Sequence, residues 1–451
     1  MAGKKRLGRV ARSGREIARR DFLRLGGAGL AGAALLGSGV LAGCGGGGGE
    51  SFSGEVVFAN GREASGALKD LIARFNKENK DDITVKWRVM PSQSEAYFDQ
   101  LRTEFQAQST EITMMSADVI WPPQFAANGY IADLSDRFTE EMRQDFLQGP
   151  VKANTYEGKV WGVPWFTDAG MLYYRKDLLE KSGFTGPPAT WDELKEQAQK
   201  VMQDQGIKFG FVFQGSNYEG GTVNGLEYIN SHGGMALDPN DATKVTIDSP
   251  ESAAGLATEH SMVQDGVAPQ AVSTYAEPEC EAPFLGGDAV FCRNWPYMYA
   301  LAGTGDFISR DLIDIAPLPV GDQGKSVSGL GGWNFAINAF VDQEAQDAAW
   351  KFIEFMSAPE QQREFSVKGT YLPTLQALYD DPEVKEAVPT VRLAPQALAN
   401  TVPRPVSPYY SDMSLKMAEQ FNSALKGETS PEEAVKTLQD ELQSIVEQGQ
   451  Q

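Results

Sequence analysis

Residues 54–89 read GEVVFANGREASGALKDLIARFNKENKDDITVKWRV, and the spacing of their apolar residues changes twice along the way. Glu55 to Ala59 is a short apolar run with the length of a strand. Leu68, Leu71, Ile72 and Phe75 then recur at helical spacing, and Ile83, Val85 and Trp87 alternate as in a second strand. The chain therefore opens β-α-β. Downstream, Tyr97, Leu101 and Phe105 mark another helix, and Ala117 to Trp121 reads as a strand that Pro122 and Pro123 stop. Leu172 to Tyr174 reads as a strand. Thr190-Trp191-Asp192-Glu193 is a capping box opening a helix to about Gln203. Further helices are expected over Gln343 to Met356 and, after Ser430-Pro431-Glu432-Glu433, through Val435, Leu438, Leu442 and Ile445. Strands alternating with helices predict an α/β fold with a largely parallel sheet covered on both faces.

The chain has 451 residues, too many for one crowded core, so two sizeable lobes are expected. Its net charge of −21 is unevenly spread. Residues 1–44 hold nine Lys/Arg against Glu16 and Asp21, a net +7, which leaves −28 on the remainder. An acidic body of that size repels phosphate backbones and anionic headgroups, which argues against nucleic-acid binding and against electrostatic adsorption to membranes.

Arg19-Arg20-Asp21-Phe22-Leu23-Arg24, a weakly apolar Gly/Ala/Leu stretch and Leu41-Ala42-Gly43-Cys44 follow one another in the order of a twin-arginine export signal ending in a lipoprotein cleavage box. Ala18 stands where the export motif usually has Ser or Thr. The glycines within residues 26–43 and the cleavage box argue against a retained membrane span. Cys44 would become the lipid-bearing N-terminus of an exported protein, held on the outer face of the cytoplasmic membrane, with residues 45–53 as a glycine-rich tether.

Much catalytic chemistry is missing. Two histidines, His232 and His260, leave little scope for His-based catalysis, and neither GxSxG nor HExxH occurs. Gly321-Asp322-Gln323-Gly324-Lys325-Ser326 is too short for a phosphate-binding loop, and Gly329 to Gly332 is followed by a strand-like segment rather than the helix a dinucleotide site needs. No cofactor and no metal are called for. With Cys44 assigned to lipidation, Cys280 and Cys292 remain, either as a disulfide or as two buried thiols.

What is present is aromatic residues beside carboxylates, amides and glycines, in places that read as loops or strand ends. Examples are Asp118 with Trp121, Trp165-Phe166-Thr167-Asp168, Asn294-Trp295-Pro296-Tyr297 and Gly332-Trp333-Asn334. A sugar ring stacks its C–H face on a flat aromatic and offers an equator of hydroxyls to carboxylate and Arg partners. The ordered segments Ala117 to Trp121, Val163-Pro164-Trp165, Leu172 to Leu179, Gly287 to Val290 and Gly331-Gly332-Trp333 resemble family 1 extracellular solute-binding proteins of ABC importers, and most nearly the trehalose/maltose-binding branch. The resemblance runs from about residue 54 to the C-terminus.

That resemblance implies a two-lobe, type II periplasmic-binding-protein-like fold with the ligand cleft between lobes joined by a multi-strand hinge. The first lobe would comprise 54–166 with 317–371, and the second 167–316 with 372–451. Carried over by position, Glu63, Asp118 and Asp168 match hydroxyl-binding acids. Trp295 and Tyr297 match the aromatic platform of the second lobe, Gly332 and Trp333 a sugar-packing pair, and Arg404 an arginine reaching the ligand from the second lobe. The segment Pro91 to Tyr97 lacks an arginine expected there. The partners implied are a small carbohydrate and the importer's permease subunits, with the protein a monomer, and closure on the sugar is the signal the permease reads. Two other readings are a glycosidase using Glu63 and Asp118, and the same fold holding an amine through carboxylates and cation–π contacts.

Overall fold

A computed structural model describes residues 52–449 except 92, 240, 323 and 324. The expected signal segment, Cys44 and the tether to residue 51 lie outside the described residues. Among the described residues no helix is long and apolar enough to cross a membrane.

Two main sheets carry the body. In the first, the strand order is Leu372–Pro373, Val163–Ala169, Ser328–Ile337, Met114–Asp118, Glu55–Asn60 and Thr84–Val89, with Thr401–Val402 also pairing with Ser328–Ile337. The opening β-α-β is present: Glu55–Asn60 and Thr84–Val89 run parallel around the helix Ala67–Glu78. The sheet as a whole is mixed, which corrects the largely parallel expectation. Ser328–Ile337 lies antiparallel to both Met114–Asp118 and Val163–Ala169. It enters from the second sheet and not through a crossover helix on its own sheet, so nothing forces it parallel.

The second sheet has the order Ile313–Ala316, Met171–Arg175, Ala289–Asn294, Phe209–Val212, again mixed. The chain passes between the sheets more than once. Gly170 is the single residue between the Val163–Ala169 and Met171–Arg175 strands, and Ile313–Ala316 of the second sheet leads to Ser328–Ile337 of the first. A later return brings Val384, Val388 and Val391 into the core beside Met171 and Tyr173.

Alternation along the strands supplies separate cores on the two faces of the first sheet. Val56, Phe58, Met114 and Phe335 face a cluster with Phe75, Trp165 and Phe352, while Ala59, Met115 and Ala336 face Tyr97, Leu101, Trp121 and Phe125. Phe58 alone meets the rings of Trp165, Phe335 and Phe352 at 5.9, 5.7 and 5.8 Å. Each such fully buried ring contributes on the order of 1.5–3 kcal/mol from burial. The second sheet packs Leu172, Phe211 and Phe291 against Trp191, Leu194 and Ala198 of the helix Trp191–Gln205. Thr190 caps that helix by accepting the Glu193 N–H at 3.1 Å, and Glu193 reaches back to the Ala189 N–H at 2.7 Å, one residue earlier than a standard capping box.

Two further expectations are corrected, and one that the sequence left open is decided. The strand before the double proline spans Met114–Asp118, and Pro122 and Pro123 open the helix Pro122–Ala127 where they were expected merely to end a strand. A first helical turn has no use for the missing N–H groups. Trp121 and Trp165 are each 2% exposed and belong to the cores, so the carboxylate-aromatic pattern there is packing. Cys280 and Cys292 are two free, buried thiols, with Cys292 Sγ 3.7 Å from the Cys280 carbonyl oxygen.

Candidate ligand-binding site

The strand Ser328–Ile337 lies between the strands bearing Asp118 and Asp168, and register does the rest. Trp333 pairs with Asp118, Gly332 with Thr167, and Gly331 with Asp168. Gly332 has φ 126°, a region open in practice to glycine, and a Cβ there would come within 2.5 Å of the Phe166 carbonyl oxygen. Trp333 is half-buried, stacked on Tyr97 at 5.9 Å and edge-on to Trp121 at 5.3 Å, so the aromatic core behind it fixes its plane.

Asp118 ends its strand and is 8% exposed. Its Oδ1 accepts from Arg404 Nη2 at 2.8 Å and from the Ile120 N–H at 3.3 Å. The other Arg404 nitrogen, Nη1, donates to Glu219 Oε1 at 2.5 Å, and Tyr410 Oη donates to the same oxygen at 2.7 Å. Ser414 also donates to Glu219. Burial alone would depress the Arg404 guanidinium, but Asp118 and then Glu219 outweigh it and hold Arg404 firmly protonated. Burial raises Asp118, Arg404 opposes this, and Glu219 adds to it.

On the other side of Gly331, Asp168 is 7% exposed and its Oδ1 has no hydrogen-bond partner. Burial, reinforced by Asp118, pushes its carboxyl well above the usual range, with Arg293 and Arg404 opposing. A Cβ at Gly331 would lie 3.0 Å from Asp168 Cβ and 2.9 Å from Trp295 Cζ3, which shows how closely acid and indole flank the glycine. Trp295 follows the strand Ala289–Asn294 and donates its indole N–H to Glu277 Oε1 at 3.3 Å. Tyr297 donates to Glu281 and faces Tyr371 at 6.5 Å between ring centroids.

Of the eight expected ligand residues, Asp118, Arg404, Trp333, Gly332, Asp168 and Trp295 are thus joined by direct contact or strand pairing. The remaining two are Tyr297, whose contacts are with Glu281 and Tyr371, and Glu63. For Glu63 the setting is different. Its carboxylate accepts the N–H groups of Ser65 at 2.6 Å and Leu68 at 3.2 Å, serving the start of the helix Ala67–Glu78, and reaches the group only through Tyr371 Oη at 3.4 Å. Residues not anticipated are Glu95, Glu219, Glu277, Glu281 and Tyr371. The segment where an arginine was sought carries Glu95, whose carboxylate accepts the Glu219 N–H at the start of the helix Glu219–Ser231. Among the described residues no group of three or more His, Cys, Asp or Glu side chains is arranged to hold a metal ion.

Residues 59–363 match the bacterial extracellular solute-binding protein family. A probable ABC transporter-binding protein of Deinococcus radiodurans is 34% identical over 374 residues, 81% of this chain and 87% of the relative. A maltotriose-binding protein of Pyrococcus abyssi is 26% identical over 292 residues, 64% of this chain and 60% of the relative. Among solved structures, maltose-bound MalE3 of T. maritima superposes with a TM-score of 0.82 at 37% identity, covering 87% of this chain and 99% of that one. A ribitol complex from Agrobacterium radiobacter K84, at 24% identity and TM-score 0.77, shares the fold. The chain belongs to the bacterial extracellular solute-binding protein family and has its mixed α/β, periplasmic-binding-protein-like fold. Its relatives are binding proteins of ABC transporters, with sugar and polyol binders among the structural neighbours.

Proposed function

We propose that this chain is the lipid-anchored, extracytoplasmic receptor of an ABC sugar importer, taking a disaccharide or short oligosaccharide of the maltose/trehalose kind between two lobes that close upon it. The observation that carries the reading is the buried, unpartnered Oδ1 of Asp168 set beside the half-buried Trp295, an acceptor and a flat apolar face within one sugar ring's reach. A hydroxyl donating to Asp168 would satisfy an atom that otherwise bears the full desolvation penalty, on the order of 1–3 kcal/mol. Asp118, Trp333, Gly332 and Arg404 form the adjoining wall, with Tyr297 and Glu63 linked to it through Tyr371. Similarity to maltose-bound MalE3 supports the same ligand class. The lobes are built around the two sheets and divide near 54–166 with 317–371 and 167–316 with 372–451, with Leu372–Pro373 and Thr401–Val402 reaching from the second lobe onto the first sheet. Closure stabilised by ligand bridging them would be the state the permease subunits recognise.

The hydrolytic alternative would use Glu63 and Asp118, yet one serves a helix N-terminus and the other is ion-paired with Arg404. Both carboxylates are thus already engaged as acceptors within the fold. Anchoring rests on the Cys44 box, and intact-mass analysis of protein recovered from membranes should find the diacylglyceryl adduct at Cys44.

Titration calorimetry with maltose, trehalose, maltotriose and a polyamine tests the reading. Saturable one-to-one binding of a sugar is expected, weakened about ten- to a hundredfold by Asp168→Asn and by Trp295→Ala. Tight binding of the polyamine with no sugar bound would overturn it.

A further inference from the structure

Behind Trp295 lies a second charged pair to which no role has been given. Arg293 and Glu227 have side chains 1% and 3% exposed. Arg293 Nε and Nη2 donate to the two oxygens of Glu227 at 2.9 and 2.6 Å, and Nη1 reaches Gln214 Oε1 at 3.3 Å. The guanidinium carbon stands 4.0 Å from the centroid of the Trp295 ring, so the pair covers one face of that ring.

The pair also touches both strand passages between the sheets. Glu227 Oε1 accepts the N–H of Gly329 at 3.0 Å, at the start of the strand that carries Gly332 and Trp333. On the other passage Gly170 has no room for a side chain, because a Cβ there would overlap Glu227 Oε1 and the Arg293 guanidinium. One fork of charge therefore meets Trp295, Gly170 and Gly329 together. A buried ion pair is weak as a source of stability, since well-packed apolar residues do as well. What a bidentate guanidinium–carboxylate pair supplies that apolar packing does not is fixed direction.

We infer that the Arg293–Glu227 pair is a positioning device that couples the plane of Trp295 to the two passages, so that seating a ligand on the ring and changing the angle between the sheets become one event. This rests on the closure reading above. A tilt of the ring shifts the guanidinium, the guanidinium shifts Glu227, and Glu227 holds the Gly329 backbone while packing on Gly170.

The test is the double variant Arg293→Met with Glu227→Leu, which removes both charges together and leaves none unpaired, alongside Glu227→Gln, which keeps an oxygen for Gly329. Spin labels at Glu78→Cys and Asp192→Cys, exposed on helices of different sheets, report the spacing between the sheets in ligand-free protein. The double variant is expected to fold, to show a broadened or shifted distance distribution, and to bind maltose about tenfold more weakly than the parent. Glu227→Gln should fall between the two. A folded double variant whose ligand-free distances superimpose on the parent's, with maltose affinity within about twofold, overturns the inference. If the double variant does not fold, Arg293→Lys, which keeps both charges but not the bidentate fork, carries the same comparison with the same two outcomes. A parent that binds none of the sugars would sink the proposed function alone, because the ligand-free distances still decide the coupling.

Discussion

Arg404→Ala is expected to destabilise the protein by about 3–5 kcal/mol and to abolish sugar binding, because it strands two buried carboxylates at once. Arg404 donates to Asp118 at 2.8 Å and to Glu219 at 2.5 Å, with all three side chains at most 11% exposed. Asp118 ends a strand of the first sheet, whereas Glu219 begins a helix whose Tyr228 packs with the second, so the guanidinium ties the two halves. A loss of that size corresponds to roughly 6–20 °C in melting temperature for a large domain. Lysine should not rescue, since one ammonium cannot span both acids as a planar fork does. Scanning calorimetry of Arg404→Ala and Arg404→Lys decides the matter, and a melting temperature unchanged in both would reduce the triad to an incidental contact. The same alanine variant separates stability from recognition when ligand affinity is measured well below its melting point.

How much of this was legible beforehand depended on whether a feature is local. The β-α-β start, the helix opened by Thr190 and the C-terminal helix are written in spacing and caps, and each formed where expected. The direction of Ser328–Ile337 was not legible, because alternation along a strand says nothing about which way its neighbours run. Trp121 and Trp165 looked as suitable for a sugar as Trp295 and Trp333, and only burial separates them. Arg404 and Asp118 could be singled out by likeness to a family. Their partner Glu219 lies 185 residues from Arg404, with no periodicity to connect them. Glu95 was passed over because an arginine was sought in its segment. The structure puts there a carboxylate that accepts the first N–H of the helix Glu219–Ser231.

That carboxylate should make stability depend on pH in a sense opposite to most salt-bridged acids. Burial, with the neighbouring Glu219 adding and Glu277 contributing less, raises Glu95 from 4.5 to about 7. An acid whose folded pKa is raised favours the folded state in its protonated form. The contribution is fully present below about pH 4.5 and is lost as pH rises through about 7. The shift corresponds to at most about 3 kcal/mol between those limits, less whatever relaxation recovers. Glu259, raised to about 8 by burial and by Glu227, acts in the same direction, so the whole-protein curve cannot assign the effect. Glu95→Gln can. The amide oxygen still accepts the Glu219 N–H, but nothing titrates. The variant is therefore expected to be more stable than the parent at pH 8, by about 1–3 kcal/mol in urea unfolding, and equal to it near pH 4.5. A difference that stays constant from pH 4.5 to 8 would mean that Glu95 titrates alike in the folded and unfolded protein, and that its contact across to Glu219 is not closed in solution.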